Sequence, residues 1–432
     1  MTDSGDRTIR VPVLARVEGE GALDLIIRGD RIEQLQLRIF EPPRLFEKLL
    51  EGRPYTDVPD IVARICGICP VAYQMSAVHA IEQVFQLNPG PWVREMRRLM
   101  YCGEWIESHA LHVHLLALPD FLGADNVIEL AERYPDEVRR GLHLQGLGNR
   151  LLRLVGGRSV HPVSTCIGGL SHAPTPAEIA ALLDEFRQAL PMAEALLAWT
   201  ASLDLPDEQQ DFTSVALRHA DEYPMNEGRL VSSAGLDIPI QAYQDHFREY
   251  QVPHSTALQS SLDGQPYLVG PLARINLNLD RLPQDLQQQV AACGITFPSR
   301  NMFHSLTARA IEVVYAMGEA IRIMAAYQLP DSSRVDVTPR AGIGFGCTEA
   351  PRGILWHTYE LDADGQVQAA TIVPPTSQNQ ARIEDDLRNS LTAYGLHRSD
   401  DELRKHGETV IRNYDPCISC STHFLKIKVG RE

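Results

Sequence analysis

The sequence has no run of about 18 apolar residues, the length needed to cross a bilayer as a helix. It has no clustered stretch of Lys and Arg, which makes nucleic acid an unexpected partner, because phosphate binding relies on grouped cations. It has no internal repeat, no low-complexity segment and no obvious flexible linker. The first ten residues, from Met1 to Arg10, lack an apolar stretch and include acids. They resemble neither a signal peptide nor a transit peptide. The expectation is a cytoplasmic chain, unless it is exported folded on a partner that carries the signal. The net charge is −16, from 40 basic and 56 acidic residues, a surface balance that favours solubility.

What is present is a chain of 432 residues with 44% hydrophobic content, enough to bury a large core. Length alone allows two or three units. No linker-like stretch divides the chain, and we read residues 1–432 as a single domain. Alternating apolar and polar residues over 11–40, interrupted at Gly29-Asp30, predict a β-hairpin. A second hairpin is predicted over 353–373, turning at Asp364-Gly365. Helical periodicity runs through 71–118, with a break at Asn88-Pro89-Gly90-Pro91. Further helices are expected over 126–155, 176–202, 304–328 and 380–395, with Thr175-Pro176 as a strong start signal. The fold class is α+β and predominantly helical, with long central helices and small peripheral antiparallel strands.

Eight cysteines stand at 66, 69, 102, 166, 293, 347, 417 and 420. Four form two pairs of the Cys-x-x-Cys type: Arg64-Ile65-Cys66-Gly67-Ile68-Cys69, and Asp415-Pro416-Cys417-Ile418-Ser419-Cys420-Ser421-Thr422-His423. Each pair can turn both sulfurs onto one metal. Four soft thiolates suit zinc, iron–sulfur or nickel. Zinc ribbons usually space their pairs by about 15–20 residues. Here about 350 residues intervene. A thioredoxin-like redox pair would follow a strand of a βαβ unit, which neither pair does. The spacing by itself leaves a four-cysteine zinc site, a nickel site and two unrelated core pairs open.

Both paired motifs resemble the signatures of nickel–iron hydrogenase large subunits. Other blocks of that family appear in order along the chain. Arg16-Val17-Glu18-Gly19 resembles its N-terminal motif. Ser108-His109-Ala110-Leu111-His112, leading to Pro119-Asp120, resembles a helical block. Gly156-Gly157-Arg158-Ser159-Val160-His161-Pro162 and Gly168-Gly169 resemble another. Glu349-Ala350-Pro351-Arg352-Gly353 and Val373-Pro374-Pro375-Thr376-Ser377-Gln378-Asn379 complete the series. The resemblance implies the nickel–iron hydrogenase large-subunit fold and reversible, heterolytic cleavage of dihydrogen to protons and electrons.

It also implies roles. Cys66, Cys69, Cys417 and Cys420 would bind nickel, with Cys69 and Cys420 bridging to an iron that carries carbon monoxide and cyanide. Arg352 would hang over the metals as a fixed charge and cyanide donor, rather than as a base. Pro374, Thr376 and Ser377 would surround the other cyanide. Glu18 would be the first proton relay. Glu47, a carbonyl near Ile372 and His423 would hold a distal magnesium or iron ion. His109, His112, His114 and His161 are expected in the core or in hydrogen bonds behind the metals, not as ligands. Cys102, Cys166, Cys293 and Cys347 are read as small buried apolar residues.

The chain departs from the family pattern at two places. Tyr73 stands where many relatives have His, and Glu20 where His often follows Glu-Gly. Both changes resemble the cytoplasmic, multisubunit branch linked to NAD(P). No further cysteine cluster exists for iron–sulfur wiring, and the resemblance implies a small subunit that carries it. A flavin- and NAD(P)-binding diaphorase module with its own iron–sulfur subunits would follow. Gly342-Ile343-Gly344-Phe345-Gly346 lacks the spacing for direct nucleotide binding. Residues 424–432 would be a tail removed by a maturation protease, after nickel-insertion factors have acted. Two other classes are weighed: a non-catalytic hydrogenase-like subunit of a respiratory-type redox complex, which would have lost the cysteines, and a zinc-stabilised interaction protein, which would not need Glu18, Arg352 and His423.

Overall fold

The helices Pro70–Phe85, Pro91–Leu111, Pro135–Gly156 and Pro176–Ala201 each open with proline at the first helical position. Proline fits there because the first-turn amide has no intrahelical acceptor to lose. In this computed structural model, which describes residues 6–422, these helices and Ser305–Ala325 pack as the central layer. The 91–111 helix lies against the 135–156 helix, and the 305–325 helix lies against the 91–111 and 176–201 helices. The first contact is close because two glycines face each other. A Cβ on Gly148 would sit 2.5 Å from the Gly103 carbonyl oxygen.

Among the described residues, no helix is long and apolar enough to cross a membrane. The helix of residues 176–201 starts in a capping box between Thr175 and Glu178. The helix expected over 126–155 is two, Val127–Arg133 and Pro135–Gly156, because Pro135 starts a new helix. The 91–111 helix continues through a π-helical turn at His112–Ala117 into Leu118–Phe121. The helix expected over 380–395 spans Pro375–Tyr394, and a further helix, Asp400–Asn413, was not anticipated.

Strands lie at the periphery and are antiparallel where they pair. Gly21–Arg28 and Arg31–Ile39 flank Gly29-Asp30, and Arg7–Val11 adds to the first of them. Gly353–Leu361 and Val367–Val373 pair around Asp364-Gly365. The Gly342–Ala350 run is their third strand. Its glycines let the strand lie directly on the 70–85 helix. A Cβ on Gly346 would come 1.9 Å from the Ser76 carbonyl oxygen, and one on Gly344 2.0 Å from that of Ala80. This sheet carries Arg352 in its first turn and leads from Val373 straight into Pro375.

Candidate metal centre

Cys66 follows a short 3-10 turn, Ala63–Ile65, and Cys69 immediately precedes the 70–85 helix. The amides of Ile68 and Cys69 donate to Cys66 Sγ at 3.3 and 3.2 Å. Cys417 and Cys420 lie on the loop that ends the 400–413 helix and turns through Ser419–Thr422. The fold brings the two pairs together: the sulfurs of Cys66 and Cys417 are 3.5 Å apart, those of Cys69 and Cys420 3.7 Å, and those of Cys417 and Cys420 2.7 Å. All four residues are buried. Among the described residues they form a group whose ligand atoms all lie within 4.8 Å of one another.

The electrostatics ask for a cation. Burial raises the Cys66 thiol, but hydrogen bonds to the Cys417, Cys420 and Cys69 sulfurs and the Arg352 charge bring it well below the ordinary value. Burial is the largest cause raising the Cys417 and Cys420 thiols. Cys69 is also pushed up, chiefly by the Cys420 and Cys66 sulfurs against a lowering bond to Cys417. Four thiolates in one buried site would repel one another, and a divalent metal removes that repulsion.

Two side chains clasp the ligand loops. Arg44 donates to the Ile65 carbonyl at 2.7 Å and also to the Ser419 carbonyl, joining the segments ahead of one cysteine pair and inside the other. Glu104 accepts from the amides of Val71 at 2.6 Å and Ala72 at 3.2 Å, just past Cys69. Sequence reasoning missed both. Their partners are backbone groups, which leave no trace in residue type.

Glu18 is half-buried beside the second pair. Cys417 Sγ donates to Glu18 Oε2 at 3.1 Å, and the Ser419 amide to the same oxygen at 3.0 Å. The Glu18 carbonyl accepts from Ile418 at 2.9 Å, which fixes the segment alongside the loop. Ser419 Oγ in turn donates to Glu41 Oε2 at 3.0 Å, placing a second carboxylate, also missed, outside the first. Arg16, from the same motif, pairs with Asp120, which Arg412 holds at 2.7 and 2.8 Å.

Arg352 is 3% exposed, so it is not the surface ion-pair former that an isolated arginine usually is. Its Nε donates to the Asp415 carbonyl at 2.8 Å and its Nη2 to the Asp415 carboxylate at 2.9 Å. Burial would lower it, but Asp415 and the cysteines hold it well above the ordinary guanidinium value, so it stays charged. Thr376 Oγ1 accepts from the Cys417 amide at 3.0 Å. Ser377 Oγ is buried and has no hydrogen-bond partner among the described residues, and Pro374 precedes both at the start of their helix. An orphaned hydroxyl next to Thr376, which holds the Cys417 amide, suits a small acceptor bound with the metals.

Glu47 Oε1 accepts from the Ile372 amide at 2.8 Å, so these two expected ligands are neighbours. His423 and residues 424–432 lie outside the described residues. Asn379 pins the Val269 backbone in both directions, at 2.9 and 3.0 Å. His109 bonds Glu312 at 2.9 Å, His112 the Arg412 carbonyl at 2.8 Å, and His161 the Ala63 carbonyl at 2.6 Å. Tyr73 is fully buried, and burial followed by the cysteine charges keeps its phenol protonated. Another group with converging ligand atoms, His219, Glu222 and Glu227, already has Arg94 on both carboxylates at 2.5 Å.

The sequence pattern of the family described as nickel-dependent hydrogenase matches residues 44–140 and 259–423. Sulfhydrogenase 1 subunit alpha of Pyrococcus furiosus is 33% identical over 97% of this chain and 98% of its own length. The NAD-reducing hydrogenase HoxS subunit beta of Cupriavidus necator is 28% identical over 97% and 95%. A crystal structure of an NAD+-reducing [NiFe]-hydrogenase in the H2-reduced state superposes with a TM-score of 0.89 at 27% identity, covering 98% of this chain and 100% of that one.

Proposed function

From the premise that the chain belongs to the nickel-dependent hydrogenase family and is the large subunit of a nickel–iron hydrogenase, we propose that it cleaves dihydrogen heterolytically and reversibly at the four-cysteine centre. The observation that carries this reading is the meeting of four buried thiols with a carboxylate, Glu18 Oε2, 3.1 Å from Cys417 Sγ.

When bound by Cys66, Cys69, Cys417 and Cys420, nickel and a carbonyl- and cyanide-bearing iron supply the acidity that free dihydrogen lacks and the capacity to take its electrons. The rest falls to the protein. Glu18 takes the proton from Cys417 Sγ, and the hydrogen bond already in place fixes the direction of transfer. Glu41, which accepts from Ser419 Oγ at 3.0 Å, stands near Glu18 as a second carboxylate. Arg352 holds a positive charge in a dry site and would donate to one cyanide, and Thr376, Ser377 and Pro374 would enclose the other. Glu47, the Ile372 carbonyl and His423 would hold a distal magnesium or iron.

Electrons leave through an iron–sulfur small subunit and pass to a flavin- and NAD(P)-binding module in the cytoplasm. Support comes from the relatives, one of which is itself an NAD-reducing hydrogenase subunit. The described residues offer no second cysteine cluster for wiring. Residues 424–432 are removed by a maturation protease once nickel has been inserted.

The test is metal content with isotope exchange. The purified complex should hold nickel stoichiometric with this chain, together with iron, and exchange deuterium gas with solvent protons. Stoichiometric zinc without exchange, in a chain already lacking its tail, would overturn the reading.

A further inference from the structure

Glu107 lies between two residues already tied to the metal centre. Ser108, next along the helix, places its hydroxyl 3.5 Å from Arg352 Nη1. Glu104, one turn earlier, caps the helix that begins after Cys69. Positions three apart share a helix face, so Glu104 and Glu107 look the same way. Glu107 is 7% exposed, yet among the described residues its carboxyl has no hydrogen bond and no ion pair. A carboxyl this deep is normally paired, because burying it alone is costly.

We propose that Glu107 is a second proton-exchange group of the metal centre, serving the Cys66–Arg352 side as Glu18 serves the Cys417 side. This rests on the hydrogenase reading. Each dihydrogen yields two protons and two electrons. The electrons leave to a one-electron iron–sulfur carrier, and the protons have two carboxyl exits instead of one.

The electrostatics suit the role. Burial, the largest cause, pushes Glu107 up to about 8, with Arg352 opposing and Cys66 and Asp415 adding to the rise. Glu104 is the like-charged neighbour on its own helix. The 135–156 helix meets Glu107 at Gly148, where a Cβ would stand 2.9 Å from Glu107 Cβ, so that contact presents no charge. A carboxyl with this value changes protonation at working pH, which ordinary carboxylates do not.

The experiment compares the assembled complex carrying Glu107, Glu107→Gln and Glu107→Asp. Infrared difference spectra across neutral and alkaline pH should show a protonated-carboxyl band that titrates near pH 8. The band should be missing from Glu107→Gln. That variant should lose kcat several-fold with KM for dihydrogen unchanged, and the alkaline limb of its pH profile should disappear. Glu107→Asp should restore part of both. Metal-bound diatomic bands with an unchanged carboxyl region in Glu107→Gln overturn this proposal alone. Absence of the diatomic bands in the unsubstituted, processed complex overturns the hydrogenase reading, and this proposal with it.

Discussion

Glu18 and Cys417 are 399 positions apart in sequence and are joined by a 3.1 Å contact between sulfur and carboxylate. The same carboxylate oxygen receives the Ser419 amide, so its orientation is fixed from the loop that carries the ligand. Glu18→Gln keeps an oxygen for that amide and loses the ability to take a proton. Hydrogen turnover should fall by about 10²–10⁴-fold, the usual worth of a positioned acid–base group. Thermal stability and nickel content should hardly change. Turnover within a few-fold of the unsubstituted enzyme would remove Glu18 from the proton path.

Arg352 spends its fork on Asp415, with one nitrogen on the carbonyl and another on the carboxylate. Arg352→Lys keeps the charge and loses that geometry. Activity should drop by about 10²–10³-fold, the scale seen when one preorganised donor is removed. Nickel analysis of the same preparation separates lost chemistry from lost metal.

Ser377 offers the opposite case, because its buried hydroxyl has no protein partner among the described residues. Ser377→Ala breaks no internal hydrogen bond, so the melting temperature should stay within error. If the hydroxyl serves a cyanide, one metal-bound cyanide band should shift. An unmoved spectrum would take Ser377 out of the site.

Gly346 tests the packing of strand on helix. A Cβ there would meet the Ser76 carbonyl oxygen at 1.9 Å, and neither backbone can yield cheaply. Gly346→Ala should destabilise the chain by at least about 1–3 kcal/mol, read from denaturant midpoints.

Acid should unfold the chain through its buried imidazoles. Burial lowers His109 and His114 to about 4 and His112 to about 3, against 6.5 unperturbed. The unfolded chain therefore binds these protons at higher pH than the folded one. Stability contributed by the neutral rings is present above pH 6.5 and is lost as pH falls toward 4. Unfolding midpoints measured through this window should decline, and less so in His112→Asn.

The cysteine pairs were legible because their spacing is a local signal. Glu18 and Arg352 were legible only within their motifs, since a lone Glu or Arg is usually exposed. Arg44, Glu104 and Glu41 were not, because each acts on groups brought near by tertiary folding. The Gly342–Ala350 strand was missed for a physical reason: glycine weakens strands in general and is used here for close approach to a helix. The Asp400–Asn413 helix had a readable start, the Ser399–Glu402 capping box, that went unused. Pro135 divides a helix that periodicity alone runs together.

The central claim is that Cys66, Cys69, Cys417 and Cys420 hold a nickel–iron group rather than a closed zinc site. An infrared spectrum of the anaerobically purified, fully processed complex tests it most directly. The account predicts metal-bound carbon monoxide and cyanide bands that shift when hydrogen is admitted. A spectrum without such bands, from protein whose four cysteines carry zinc, would contradict it.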